Sequence, residues 1–336
     1  MRGGMDEAVG SRIRQWWASP VGRAFLALLL MMLIGSLFNA EGAFFRWSVH
    51  RDMLRQVSVY GILACGMTVV IITAGIDLSV SSVLALAAVL FAWLLLPLGW
   101  SAFLAIPVVL VAGTVLGSVS GILVARMRIQ PFIVTLAMMV FARGLAKVIS
   151  GGRKITNYVQ EADGTSRLVD LPAVFDLIDS RVLGGNLSIV TVIFLACVAM
   201  TWVVLSRLRM GRHLYAVGGN EEAARLSGVP VRKTLITAYA MAGFFSAVAG
   251  ICQAAQETHG DPETGMAYEL DAIAMVVIGG TTLAGGKGSV ILTLIGVLTI
   301  GYLQKILSLN AAPEATRLML TGAIIICAVL FQRGKR

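Results

Sequence analysis

The sequence predicts an all-α, polytopic membrane protein of about ten transmembrane or half-membrane helices, with both termini in the cytoplasm. Three observations predict it. Of 336 residues, 57% are hydrophobic and 13% charged, against roughly 25% charged in ordinary soluble domains. Apolar runs of about 17–25 residues, long enough to cross a bilayer as helices, recur along the whole chain. The basic residues, finally, collect in the short polar segments between those runs. With an N-terminus inside the cell, 16 of the 27 Lys and Arg fall on the cytoplasmic side and 9 outside, the bias that orients membrane proteins. The net charge of +9 therefore belongs to cytoplasmic loops rather than to a nucleic-acid surface, and no basic–aromatic patch argues otherwise.

In order, residues 1–23 read as a cytoplasmic leader in which Arg12, Arg14, Trp16, Trp17 and Arg23 mix cations with tryptophans, as at a membrane interface. Residues 24–331 form the membrane domain, and 332–336 a basic tail. The run 24–40 has no small-residue cleavage site and reads as a retained first span. Residues 41–56 are polar. The second run, 57–76, meets Gly75-Ile76-Asp77-Leu78-Ser79, and a third continues to residue 98. Pro97, Gly99 and Ser101 make a turn. The fourth run, 100–125, is rich in Gly, Ala and Ser, which let membrane helices approach closely. Pro131 opens the fifth, with Arg143 and Lys147 near its far end, reaching for the outer interface. A polar segment follows, with a short surface helix expected at 169–178. Runs six and seven are 189–205 and 235–255. Residues 272–283 are too short to span and predict a re-entrant half-helix. Runs nine and ten are 290–303 and 318–331.

Two stretches, 67–90 and 275–298, echo one another. Each runs Val-Val-Ile, then glycine and polar residues, then Ser-Val. Both cross in the same direction, unlike an inverted repeat.

The polar segment 206–234 carries a complete set of helix-boundary signals. Asn220 suits an N-cap. Glu221 and Glu222 follow it where the helix dipole favours negative charge, and Arg225 sits near the other end. Gly228 suits a left-handed terminator, and Pro230 blocks continuation. A helix of about two turns does not persist alone. With Ala223, Ala224 and Leu226 as its apolar positions, it is a candidate docking element for a soluble motor protein.

Asp77 is a lone carboxylate in an apolar region, which costs roughly 2.5–3.5 kcal/mol on insertion scales. Two readings stand together. Asp77 caps a helix starting at Leu78, and the broken segment lines a polar path through Thr73, Asp77, Ser79, Ser81 and Ser82. The cysteines, Cys65, Cys197, Cys252 and Cys327, all lie in apolar runs and read as small buried residues. The histidines show no metal-ligand spacing, no catalytic cluster is present, and no cofactor is expected. Gly286-Lys287-Gly288 departs from a phosphate loop, because Gly288 stands where Ser or Thr is required and Thr281 where the first glycine is. The acidic segment 257–271 is either a solvated loop or a surface for a basic partner.

Four stretches carry a resemblance. They are 66–80, from Gly66-Met67-Thr68 to Ser79-Val80; Gln130-Pro131-Phe132-Ile133-Val134-Thr135-Leu136 on to Arg143-Gly144-Leu145; the loop 219–229; and Tyr268-Glu269-Leu270-Asp271 through Gly279-Gly280-Thr281-Thr282 to Gly288. In order and spacing the chain resembles, over about residues 50–330, the permease subunits of bacterial ATP-driven sugar importers of the ribose/xylose/galactose type. Ser81 departs from the glycine expected there. The resemblance implies a multi-pass subunit of the bacterial inner membrane that works in pairs, homo- or heterodimeric. It implies an ATP-binding subunit on the cytoplasmic face, a periplasmic or extracellular solute-binding protein, a sugar-like solute and surrounding lipid, with 206–234 as the coupling loop. It implies transport by alternating access and no covalent chemistry. An ion-coupled secondary transporter is the competing class, and it calls for more intramembrane charges than Asp77 alone.

Overall fold

The structure is a computed structural model. It describes residues 19–160 and 166–313, with 315–317, 319, 320, 322, 323 and 326. The helices are α1 (Pro20–Leu37), α2 (Trp47–Ile72), α3 (Val80–Leu95), α4 (Ala102–Met127), α5 (Pro131–Ser150), α6 (Ala173–Asp179), α7 (Ile189–Ser206), α8 (Arg209–Gly219), α9 (Glu221–Leu226), α10 (Val231–Glu257), α11 (Tyr268–Ile278) and α12 (Val290–Leu309). Of these α2, α4, α5, α7, α10 and α12 are six helices long and apolar enough to cross a membrane, while α1 and α3 are apolar but shorter. Expected segments one to nine each coincide with a helix. The tenth, the tail, most of the leader and Cys327 lie largely or wholly outside the described residues.

Four features differ from the sequence reading. Helix α2 begins at Trp47, ten residues before the apolar run, because its charges find partners in the 151–188 segment. Arg181 donates to Asp52 at 2.6 Å, Arg51 to the Gly185 carbonyl at 3.2 Å, and Arg55 pairs with Asp179. Two short antiparallel ribbons, Tyr158–Gln160 with Ser166–Leu168 and Arg181–Val182 with Leu187–Ser188, add strand to the expected all-α class. Residues 209–219, read as loop, are helical. Arg143 and Lys147 do not simply reach for water. Arg143 Nη1 donates to the carbonyls of Pro262 and Thr264 at 2.6 and 2.8 Å, and Lys147 pairs with Glu263 at 2.6 Å. Lys154 adds an ion pair to Asp261 at 3.1 Å. Burial works against the charge of Asp261, but the Glu263 N–H, Lys154 and His259 outweigh it and hold the carboxyl below its usual range. Much of the acidic loop is thus engaged by its own chain.

At the centre, α10 packs against α2, α3 and α4. The seam with α4 uses the small residues noted in the sequence. A Cβ added to Gly117 would overlap the Tyr239 carbonyl oxygen, and one on Gly243 would overlap that of Gly113. Backbones meet directly there, and dispersion between close surfaces substitutes for a hydrophobic driving force that lipid does not provide. Cys65, Cys197 and Cys252 are buried, as expected, and are free thiols.

The two echoing stretches form matching units. Helix α2 stops after Ile72 and α11 after Ile278, and each chain restarts as a helix at a Ser-Val pair, Ser79-Val80 and Ser289-Val290. Their breaks touch. The Gly286 N–H donates to the Ile72 carbonyl at 2.9 Å, with Gly285 and Gly286 at φ 80° and 71°. Farther along, Thr68 and Thr293 share a buried hydroxyl bond of 2.8 Å. The end of α8 closes the junction. A Cβ on Gly218 would overlap the Ile72 carbonyl oxygen and lie 2.7 Å from the Gly286 nitrogen, whereas one on Gly219 would meet nothing within 4 Å. Tyr215 donates to the Gly288 carbonyl at 2.9 Å. Gly218→Ala is therefore expected to destabilise the detergent-purified protein by about 1–3 kcal/mol, the range for overpacking. Gly219→Ala stays within about 0.5 kcal/mol. Thermal unfolding of the two variants checks this, and equal midpoints would contradict the packing.

Candidate functional site

Three places gather the chemistry. The first is α9. Asn220 sits in extended conformation, φ −162°, and its Oδ1 accepts the Ala223 N–H at 2.9 Å, satisfying one donor of the first turn. Arg225 grips both oxygens of Glu222 at 2.6 Å, and that bond raises the guanidinium pKa above its usual value. Gly228 has φ 79° with open space around it, and the Val229 N–H closes the end on the Ala224 carbonyl at 3.0 Å. Glu221, Glu222, Ala223, Arg225 and Gly228 are exposed, and Leu226 is 80% exposed. Ala224, expected to face a partner, is buried against its own chain, because the helical period turns it inward. Helix α8, which carries α9, buries Gly211, Leu214, Val217 and Gly218. That spacing is visible in the sequence, but two terminal glycines and three basic residues, Arg209, Arg212 and His213, disguise it as loop. Burial pushes the Tyr215 phenol upward.

The second is the break between α2 and α3. All five expected path residues are buried here: Thr73 at 7%, Asp77 at 1%, Ser79 at 2%, and Ser81 and Ser82 at 1% exposed. The helix starts at Val80 rather than Leu78, with Ser79 as the residue before it. Asp77 Oδ1 accepts the Ser79 N–H at 2.9 Å and its hydroxyl at 2.6 Å. The carboxylate thus closes the turn that precedes the helix. Thr73 donates to the Val70 carbonyl at 2.7 Å. Above the break, a Cβ on Gly75 would overlap the Tyr239 hydroxyl, which is buried and has no hydrogen-bond partner among the described residues.

The third was not legible in the sequence. A cavity of about 460 Å³ lies between α2, α10, α11 and α12, at the ends of these helices away from α8 and α9. Gln56, Tyr60, Gln253, Tyr268, Asp271 and Gln304 line it, as do Lys305 and Arg317. None of the five break residues does; Tyr60 and Thr73 stand about 20 Å apart along α2. The sequence signal was glutamine at the ends of apolar runs, a polar group membrane helices carry rarely.

Comparison with known proteins follows this geometry. Residues 50–329 match the family described as branched-chain amino acid transport system / permease component. The ribose import permease protein of Haemophilus influenzae is 41% identical over 317 residues, covering 92% of this chain and 91% of the relative. Its counterpart in Escherichia coli K12 is 38% identical over 320 residues, 94% of each chain. The fructose import permease protein of Rhizobium meliloti is 32% identical over 338 residues, 98% of this chain and 90% of the relative. No solved structure matches. With the family match spanning the broken helices, the α8–α9 segment and the cavity alike, the chain belongs to this family of transport-system permease components.

Proposed function

We propose that this chain is the membrane-spanning permease subunit of an ATP-driven importer that carries a monosaccharide or similar small polar solute into the cytoplasm. Relatives named as ribose and fructose import permeases, aligned over nearly their whole length, support the solute class. The charge bias puts α8, α9 and both termini in the cytoplasm of a bacterial inner-membrane protein. A second permease subunit pairs with it, a solute-binding protein delivers from outside, and a separate ATPase docks on α9.

One observation carries the reading. Helix α9 presents an open face with a bare Leu226, while α8 behind it is locked at Gly218 into the junction of both helix breaks. Closure of an ATPase against α9 is then a rigid-body push delivered to the two places where the membrane helices are already interrupted. The buried polar groups Thr73, Asp77, Ser79, Ser81 and Ser82 form the inner part of the solute path, sealed in this conformation and opened when the break moves. Hydroxyls and a carboxylate at that level supply partners for a hydrated solute that the apolar walls lack.

Two outcomes follow. Gly228→Asp adds a charge to the docking face at a position with room for it. The variant is expected to reach the membrane in normal amount while ATP hydrolysis no longer drives uptake; full coupling in reconstituted vesicles would count against docking at α9. Asp77→Ala removes the acceptor that holds the turn before α3, and is expected to abolish uptake with assembly intact. Normal transport by the purified variant would rule out that role. Throughout, uptake by the unsubstituted protein depends on ATP and the ATPase subunit. Accumulation driven by a proton or sodium gradient alone would instead favour a secondary transporter.

A further inference from the structure

We propose that the cavity between α2, α10, α11 and α12 is a binding site for a neutral monosaccharide, occupied before the solute reaches the breaks. The inference rests on the importer reading and names the site that reading leaves open. At about 460 Å³, the cavity falls in the size range of small-molecule pockets, roughly 300–1,000 Å³.

Its lining decides the solute. Gln56, Gln253 and Gln304 bring amides, each with both donors and an acceptor, the combination that pairs with hydroxyls of either polarity. Gln253 spends its nitrogen on Glu257 at 2.7 Å and Gln304 leans on Asp271 at 3.5 Å. These contacts hold the amides in place and leave their carbonyl oxygens for a ligand. Gln56 is exposed, and its side chain has no hydrogen bond to protein among the described residues. Tyr60 and Tyr268 stand with ring centroids 4.2 Å apart and planes tilted by 35°, giving an apolar surface with hydroxyl tips, the amphipathic wall that a sugar's C–H face and hydroxyl rim require. Asp271, Lys305 and Arg317 share the lining, so groups of both signs face the ligand. The family description names branched-chain amino acids, but a leucine-like side chain calls for a predominantly apolar pocket, and the amides facing it would lose water without compensation.

The placement fits a waiting site. The walls are the outer halves of the two broken units and of α10, and the breaks close the far end about 20 Å away. Between them lies the Thr68–Thr293 hydroxyl pair, a buried polar step on two of the cavity's own helices.

The test uses the full chain in lipid nanodiscs, with Gln56→Cys labelled by a membrane-impermeant maleimide against the unsubstituted protein as background. D-ribose or D-fructose is expected to slow labelling, and L-leucine to leave it unchanged. In vesicles with the ATPase and binding protein, Gln304→Ala is expected to raise the uptake KM about fivefold, the loss of one hydrogen bond. If the unsubstituted protein takes up either sugar while neither sugar protects Gln56→Cys and Gln304→Ala keeps its KM, the site is wrong. If leucine alone protects, the solute class is wrong. Sugar protection without ATP-driven uptake would leave the site standing and overturn the importer reading.

Discussion

A backbone hydrogen bond joins the two helix breaks of this molecule: Gly286 N–H to the Ile72 carbonyl, at 2.9 Å. An interrupted membrane helix leaves carbonyls and N–H groups with no partner in the helix, and hydrocarbon offers none, so each must be answered from within the protein. Here the end of the first helix of one broken unit is answered from the loop of the other. Only glycine fits against that bond from α8, since any Cβ on Gly218 would strike the Ile72 carbonyl. This close contact therefore satisfies the last carbonyl of α2 and ties both breaks to the polar segment outside the apolar bundle.

The rest of the architecture keeps that junction in place. Helix α10 lies at the middle and meets α4 backbone to backbone along a seam of glycines, so the bundle has little freedom to slide there. At the opposite end Arg143, Lys147 and Lys154 hold the 257–264 loop, and Asp52, Arg55, Asp179 and Arg181 hold the extended start of α2. Both braces lie at that one end, where the Gln256 amide also donates to the Arg55 carbonyl. The end nearer α8 contains the two helix breaks and a buried, hydrogen-bonded Asp77 whose neighbour Tyr239 lacks a hydroxyl partner among the described residues.

The sequence made local features plain and hid those created by distant residues. Apolar runs predicted the helices because length and composition suffice in a bilayer. The α9 cap was legible because Asn220, Arg225, Gly228 and Pro230 act within one short stretch. Asp77 stood out as a lone charge, though the structure moves the helix start two residues past the expected Leu78. The N-terminal turns of α2 were concealed because the groups that neutralise Asp52 and Arg55 lie more than a hundred residues away. Arg143 was taken for an interfacial side chain for the same reason, its acceptors being the carbonyls of Pro262 and Thr264. The cavity draws on positions from Gln56 to Gln304, and no stretch of sequence contains enough of it to betray it. The Ser-Val echo lay in view, but its meaning, two breaks that touch, belongs to the fold.

The account holds that α8, α9 and both breaks move as one body when a partner presses on α9. Spin-label distances in the assembled complex test this most directly, with labels at Leu226, Lys287 and Met266, all exposed positions. On ATP binding, the Leu226–Lys287 distance is predicted to stay fixed while the Leu226–Met266 distance shifts. A changed Leu226–Lys287 distance with Leu226–Met266 unaltered would contradict it.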